Sequence, residues 1–584
     1  MTHLRKPILF SGFLWALAPS LHAQQLTESI RLNQIGFYPT APKVAMVVGA
    51  AAGKFYITTP DRATTVFTGE LSEQRHNDFS NQDVRTADFS GFKKAGTYVV
   101  SIPALGYSHS FQIQPRVHAP LAAAALKSYY YQRVSTALPA TYAGVWNRPM
   151  GHPDNQVLVH PSAASKERPA GTVISSPRGW YDAGDYNKYI VNSGITLSTL
   201  LSLYEDFPAY GAQLKEQVPE SSNAVPDLLD ESLWNLRWML SMQDPNDGGV
   251  YHKLTNANFD GMVMPTECRT PRYVVQKSTA AALDFAAVLA QSSRIFRQFD
   301  RQLPGLADSC LRASTRAWEW AIANPAVYYQ QDALNKQFQP AIATGTYGDN
   351  SVQDEWSWAA TELYVTTKQD KYYQAIKLLP EGQLRLPGWN QVQALGYYTL
   401  VRFGSKLPAQ AEKDVAKAKK EVVLLADALA AGTDTRAYQT VMGKSARDFG
   451  WGSNSNAGNQ GITLIQAYQI SGNQKYLNYA LTNLDYLLGR NALGFSFVTG
   501  YGAKTPQHPH HRLSEGDKVQ APLPGFLVGG PNPGQQDKCQ YPFSTPDMSY
   551  ADVVCSYASN EIAINWNAPL VYLAGSLEAL QGKW

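Results

Sequence analysis

The spacing of apolar residues changes once along this chain, and that change dictates a fold in two parts. Between about residues 28 and 115 the apolar positions alternate in short runs. These are 44–48, 54–58, 65–67, 97–101 and 109–113, rich in β-branched and aromatic side chains and separated by Gly, Pro, Asn and Asp. Such runs predict strands, and strands at this spacing predict a β-sandwich of immunoglobulin type. After His118-Ala-Pro120 the period becomes helical and stays so. Leu229, Leu233, Leu236 and Leu240 follow Pro226, a first-turn residue, and Leu477, Leu481, Leu484 and Leu488 repeat the spacing before Gly489 ends the run as a C-cap. Similar patterns cover 120–134, 188–205, 278–298, 306–323, 353–366, 390–403, 411–431, 459–471 and 569–581. About a dozen helices suit helix pairs closed into an α/α toroid, although no sequence repeat announces one.

The first residues address the chain to export. His3, Arg5 and Lys6 precede an apolar run from Ile8 to Leu17, and Leu21-His22-Ala23 offers a small-residue cleavage site. Residues 1–23 therefore read as a secretory signal peptide, 24–115 as the sandwich and 116–584 as the helical domain. No later stretch has the roughly 18 consecutive apolar residues of a membrane span. A net charge of +3 on 584 residues, 17% of them charged, leaves no footprint for nucleic acid or anionic lipid and favours a neutral substrate. The expected protein is a monomer that is secreted, periplasmic or extracellular.

Four cysteines in an exported chain allow up to two disulfides, and Cys539 with Cys555, close together in a Gly/Pro-rich loop, is the favoured pair. Cys310 falls in a helical run and reads as a buried thiol. No Cys-x-x-Cys or His-x-x-x-His spacing is present, which argues against zinc.

The chemistry is concentrated in two carboxylate clusters set among aromatic and amide residues. One is Gly179-Trp-Tyr-Asp182-Ala-Gly184-Asp185-Tyr186; the other runs from Tyr550-Ala-Asp552 through Tyr557 to Asn560-Glu561 and Trp566-Asn567. One carboxyl kept protonated in a partly desolvated pocket can protonate a leaving oxygen while another, ionised, activates water. Cleavage of a glycosidic bond needs that pairing. Gly184 permits a tight turn that aims Asp182 and Asp185 at one place, and two like charges there raise each other's proton affinity.

These motifs resemble glycoside hydrolase family 9, whose one subgroup carries an N-terminal immunoglobulin-like domain. The first family signature is matched by Ser496-Phe-Val-Thr499-Gly-Tyr-Gly502-Ala-Lys504 followed by Pro509-His510-His511-Arg512, the second by Tyr550, Asp552, Tyr557, Glu561, Ala563 and Asn567-Ala568. The resemblance covers nearly all of the mature chain and implies an (α/α)6 barrel catalytic domain behind the sandwich. It implies a β-1,4-glucanase that inverts configuration, with Asp185 as general base, Asp182 helping hold the water and Glu561 as general acid. It further assigns His510 and Arg512 to the sugar and the catalytic carboxyls, and Asp552 to orienting that network.

Looser matches mark His252, Tyr347, Trp389, Trp451 and Trp566 as sugar-binding residues. Asp354 and Glu355 resemble calcium ligands of some relatives, with Asn390 where those relatives place a further Asp; no other cofactor is expected. Two rival readings stay open. An exo-acting glycosidase would need the segment 146–178, with Trp146, Arg148, His152, His160 and Arg168, to wall off the cleft. A non-catalytic carbohydrate-binding protein would have no need of a spaced acid and base. Cellulose, mixed-linkage glucan and xyloglucan are all open as the polymer.

Overall fold

The computed structural model describes residues 25–584, so the expected signal peptide lies outside the described residues. The first part is built from β1 (Ile30–Arg31), β2 (Gly36–Phe37), β3 (Val44–Val48), β4 (Lys54–Thr58), β5 (Thr65–Glu70), β6 (Arg75–Asn77), β7 (Gln82–Asp88), β8 (Gly96–Ile102), β9 (Gly106–Tyr107) and β10 (Phe111–Ile113). One sheet has the order β1-β3-β7-β6, the other β2-β10-β8-β4-β5 with β9 on β8. Between them Ile30, Ala45, Val47, Phe55, Ile57, Phe89, Val100 and Phe111 form the core. Phe37 meets Phe89 and Phe111 edge-on, with centroids 5.3 and 5.4 Å away.

Strand β3 shows why its sequence is apolar at every position. Side chains alternate across a strand, so Ala45 and Val47 enter the sandwich while Val44 and Met46 face outward, where they join Val84, Ala437, Tyr438, Ala492 and Met548 in a second buried cluster. Polar contacts seal this seam. Asn33 donates to Asp485 at 2.8 Å, Tyr38 to Glu578 at 2.8 Å, and Gln34 accepts from the amides of Ala503 and Lys504 at 2.9 Å. Gly502 has a positive φ of 133°, and a Cβ there would lie 2.9 Å from the Gln34 carboxamide oxygen. Part of the first family signature thus serves the junction with the sandwich.

Eleven long helices follow: α1 (Ala119–Gln132), α2 (Ile190–Asp206), α3 (Asp227–Ser241), α4 (Thr279–Phe296), α5 (Leu306–Ala323), α6 (Gln353–Thr367), α7 (Gln393–Phe403), α8 (Glu412–Ala430), α9 (Ser453–Ser471), α10 (Gln474–Leu487) and α11 (Ile564–Leu580). Helices α2, α4, α6, α7, α9 and α11 neighbour one another in a closed circuit, with α8 packed on both α7 and α9. The hydroxyls of Tyr398 on α7 and Thr463 on α9 meet at 2.8 Å. Helices α1, α3, α5 and α10 pack outside, on α11, α2, α4 and α9.

At one end of this ring all six inner helices reach one buried ionic knot. Glu205 and Asp206 close α2. Arg294 of α4 pairs with Glu205 and with Glu362 of α6, both at 2.6 Å; Arg402 of α7 pairs with Asp206 at 2.7 Å and Glu205 at 3.1 Å. Gln466 of α9 and Tyr572 of α11 donate to the second Asp206 oxygen at 2.8 and 2.5 Å.

The helical period does not hold throughout the second part. Strands β11 (Val157–Val159), β12 (Val173–Ile174), β13 (Lys188–Tyr189), β14 (Lys253–Asn256) and β15 (Arg272–Val274) form a sheet of order β12-β11-β15-β14-β13. Each is too short to impose a period of two on the sequence. The helix expected from 188 starts at Ile190 because Lys188 and Tyr189 pair with Leu254 and Lys253. The last helix starts at Ile564, ahead of the expected Pro569, which sits inside it.

Arg402→Met leaves Asp206 buried without its counter-ion and Glu205 with Arg294 alone. A loss of about 3–5 kcal/mol is expected in denaturant unfolding, with KM for glucan little changed. Deleting residues 25–115 exposes the cluster around Ala437, Tyr438 and Met548. The truncated enzyme should melt well below the full chain while its preference among glucans is retained; an unchanged Tm with lost polymer binding would contradict this.

Candidate active site

At the other end of the ring, four chain segments knit together by backbone. Ala183 pairs with Ala563, His510 with Glu561, and Val528 with Ile562. The amide of Ile564 donates to the Asp182 carbonyl at 2.8 Å, and that of Gly529 to the Glu561 carbonyl at 2.9 Å. Gly184 sits where no other residue fits, since a Cβ there would lie 2.1 Å from the carbonyl oxygen of His510. The knit brings Asp182 and Asp185 to the same place as Glu561, across most of the chain length.

The two aspartates are differently held. Asp182, 1% exposed, accepts from Asn192 Nδ2 at 2.6 Å and from the Tyr347 hydroxyl at 2.7 Å. Burial, with the neighbouring Asp185 charge, pushes its carboxyl up to about 8. Asp185 accepts from Asn187 Nδ2 at 2.5 Å and from the Tyr189 hydroxyl at 3.0 Å, donors that favour its anion. Glu561 is raised well above the ordinary carboxyl range, by burial first and then by Asp185 and Asp182, while Arg512 and a Gly184 backbone hydrogen bond pull the other way. Asn187, Tyr189 and Asn192 were not singled out in the sequence, though all lie within ten residues after Asp182.

His510 donates Nδ1–H to the Val554 carbonyl at 2.6 Å, which leaves Nε2 free in the cleft, and burial lowers its proton affinity. Arg512 donates to the carbonyls of Gly184 at 2.7 Å and Asp260 at 2.9 Å, and it acts on the Glu561 carboxyl through its field. Asp552 accepts from the amides of Gln507 and His508 and from Asn560 Nδ2, at 2.8, 2.9 and 3.1 Å. It therefore braces the turn before His510 and the residue before Glu561.

The aromatic candidates separate. Tyr347 bonds Asp182 directly, and Trp389 stands edge-on to it at 5.2 Å. Trp451 is 49% exposed and lies 5.4 Å from the Tyr557 ring, an open platform, whereas Trp566 is packed against Gly452 and Gly529. His252 is a correction. It is fully buried, stacked on Tyr329 at 4.2 Å, and both its nitrogens are engaged, with Ser278 Oγ at 2.8 Å and the Thr346 carbonyl at 2.9 Å. It anchors the backbone that presents Tyr347, and no sugar reaches it.

Asp354 accepts from the Val392 amide at 2.8 Å, while Glu355, fully buried, has no hydrogen-bond partner on either oxygen. Asp284 on α4 is likewise buried and unpartnered; burial first, then Asp354 and Asp349, raises Asp284 well above the ordinary range, and burial first, then Asp284 and Asp354, does the same to Glu355. Hard carboxylate oxygens suit calcium. Asn390 is exposed and uncharged.

Cys539 and Cys555 are joined by a disulfide. Asp537, two residues before the loop that bond closes, accepts from the Cys539 amide at 3.0 Å and from Ser556 Oγ and the Ala558 amide, both at 2.9 Å, and so ties the loop to the stretch just before Glu561. In the segment 146–178, Trp146 Nε1 donates to the Ala521 carbonyl at 3.0 Å, Arg148 to the Arg133 carbonyl at 2.5 Å, and His160 bonds the Pro340 carbonyl at 2.9 Å. These side chains are used in fastening the segment to the scaffold.

Residues 119–574 match Glycosyl hydrolase family 9, and residues 25–106 match the Cellulase N-terminal ig-like domain. The chain belongs to glycosyl hydrolase family 9. It is 48% identical over 574 residues to a xyloglucan-specific endo-beta-1,4-glucanase of Bacteroides ovatus, covering 98% of this chain and 97% of that one. Endoglucanase D of Acetivibrio thermocellus is 33% identical, over 94% of this chain and 84% of its own. Among solved structures, the Bacteroides ovatus GH9 protein superposes with a TM-score of 0.91 at 47% identity, over 95% of this chain and all of that one. The protein is a glycoside hydrolase.

Tyr347→Phe removes one of the two donors to Asp182 and leaves the packing in place. A fall in kcat on soluble glucan of about 10–100-fold is expected, the equivalent of leaving one buried acceptor without its donor, with Tm unchanged.

Proposed function

We propose that this enzyme is a secreted endo-β-1,4-glucanase that cleaves with inversion, Asp185 acting as general base and Glu561 as general acid. The observation that carries the reading is the knit at Ala183 and Ala563, which brings an aspartate that accepts from two donors together with a glutamic acid whose proton affinity burial raises. Inversion requires a water between base and sugar, with the two carboxyls roughly 6.5–9.5 Å apart. Asp182, protonated below about 8, helps hold that water. His510 Nε2 and the faces of Trp389 and Trp451 bind sugar, and Trp566 shapes the floor beneath them. Asp552 and Arg512 position the loop that carries His510.

In a catalytic cycle the glucan chain lies across the cleft with one linkage between the two carboxyl groups. Glu561 delivers its proton to the departing glycosidic oxygen as Asp185 takes a proton from the attacking water. The first product carries the α configuration.

The circuit of six inner helices with partners outside supports an (α/α)6 barrel, and the boundaries 24–115 and 116–584 follow the change from strands to helices. Asp354 and Glu355, with Asp284 beside them, suit a structural calcium ion that would offset their negative charge. Xyloglucan is the favoured polymer, on the strength of the 48% identity to a xyloglucan-specific enzyme. Export by residues 1–23 and a monomeric state complete the reading.

Glu561→Ala should damage polymer cleavage far more than cleavage of an activated aryl glycoside, whose leaving group departs without protonation. Asp185→Ala should depress both, by about 10²–10⁴. The wild-type rate on polymer should fall on the alkaline side as Glu561 loses its proton, and this limb should flatten with the aryl substrate. Equal loss on both substrates in Glu561→Ala, with the aryl substrate spared in Asp185→Ala, would reverse the assignment. Initial rates on xyloglucan against carboxymethyl cellulose and mixed-linkage glucan test the choice of polymer.

A further inference from the structure

Strand β14 carries two polar side chains into the interior. Side chains alternate along a strand, so Lys253 and Thr255 share one face of β14, and both are fully buried. Lys253 Nζ donates to Gln331 Oε1 at 2.7 Å, to Thr344 Oγ1 at 3.0 Å and to the Gly345 carbonyl at 2.6 Å. All these partners are neutral, and burying a charge on neutral partners is costly. Burial pulls the proton affinity of the amine down to about 7, and the field of Asp185 opposes it.

From Thr344 the contacts run on to Asp185. The hydroxyls of Thr344 and Thr255 meet at 2.6 Å, Thr255 Oγ1 lies 2.9 Å from Asn187 Oδ1, and Asn187 Nδ2 donates to Asp185 at 2.5 Å. The Asn256 amide also donates to Asn187 Oδ1, at 3.0 Å, which fixes the end of that carboxamide that faces Asp185. Thr344 and Thr255 have a single hydroxyl hydrogen each. The contacts from Lys253 to Thr344, Thr344 to Thr255 and Thr255 to Asn187 can therefore all hold a proton only when the lysine supplies the first. With Gln331 and Gly345 also to satisfy, it needs every hydrogen of an ammonium. The same group lies over the Tyr189 ring, 5.5 Å from its centroid, and Tyr189 is the second donor to Asp185.

We propose that Lys253 is a positioning residue for the base: its ammonium sets the direction of a hydrogen-bond relay through Thr344, Thr255 and Asn187 that ends on the Asp185 carboxylate. This rests on Asp185 acting as general base. Hydrogen bonds in a buried chain polarise one another, and donors aligned by a cation favour a charged acceptor. The relay orients and moves no proton. The other titratable groups around the pair do not replace the lysine. Asp182 and Glu561 are acids, the hydroxyls of Tyr189, Tyr347 and Tyr329 are raised by burial, and His252 and His510 bind protons weakly. Arg512 is turned toward the carbonyls of Gly184 and Asp260.

The test follows kcat/KM of the full-length enzyme across pH on an activated aryl glycoside, where protonation by Glu561 is not limiting. Lys253→Met should move the acid limb to higher pH by about 1, a roughly 10-fold loss on the acid flank, with the plateau changed much less. Thr255→Val cuts the relay and leaves the lysine in place, so it should move the limb the same way by less, and Thr255→Ser should restore it. A purely structural role would lower the plateau and the Tm and leave the limb where it is. The threonine variants decide the matter even where Lys253→Met does not fold. Should Asp185→Ala keep its aryl-glycoside rate, the base assignment fails and the relay loses its purpose; loss of that rate together with an unmoved limb in Thr255→Val overturns the relay alone.

Discussion

The buried ion pairs among Glu205, Asp206, Arg294, Glu362 and Arg402 are the constraint on which the rest of the molecule depends. Desolvating several charges is costly, and the arrangement repays it only when every partner is in place. Each inner helix contributes one or more groups, so a helix displaced by one turn would strand a buried charge. Apolar packing alone tolerates such slips, because hydrophobic contact is non-directional. The knot thus registers the six helices at one end, and their opposite ends deliver the site residues.

At that opposite end the tolerance is set by backbone. Gly184 lets the His510 carbonyl approach closer than any side chain would allow, and Arg512 then bonds the Gly184 carbonyl twice over, from its own amide and its guanidinium. Asp185 and Glu561 inherit their relative position from these contacts. The chemistry follows from unequal surroundings: hydroxyl and amide donors on Asp185, desolvation on Asp182 and Glu561. A family signature residue need not touch sugar to be required. Asp552 holds a turn, and Ala503 and Lys504 hold Gln34 of the sandwich.

Much was legible before any coordinates. The strand runs in the first part and the leucine spacings in the second mark local structure because period two and period 3.6 are written directly into the order of residues. Asp182, Asp185 and Glu561 stand out because their motifs are dense and unusual. The five-stranded sheet was not legible, since its strands are two to four residues long and drawn from distant segments. His252 misled for a related reason: its sequence neighbourhood suits a cleft, but its partners Ser278 and Thr346 come from elsewhere and consume both nitrogens.

The sequence by itself determined the two-part architecture, the chemical type of the reaction and the carboxylates able to perform it, because these depend on local periodicity and on residue identity in short motifs. The tertiary structure alone decided which polar groups are spent and which are free. Arg512 is turned toward carbonyls, Asp552 is used on amides and His252 on a loop, while His510 and His152 each keep one unengaged nitrogen. Whether a donor or acceptor is free depends on every group within hydrogen-bond reach, and in this fold those groups come from segments tens to hundreds of residues apart.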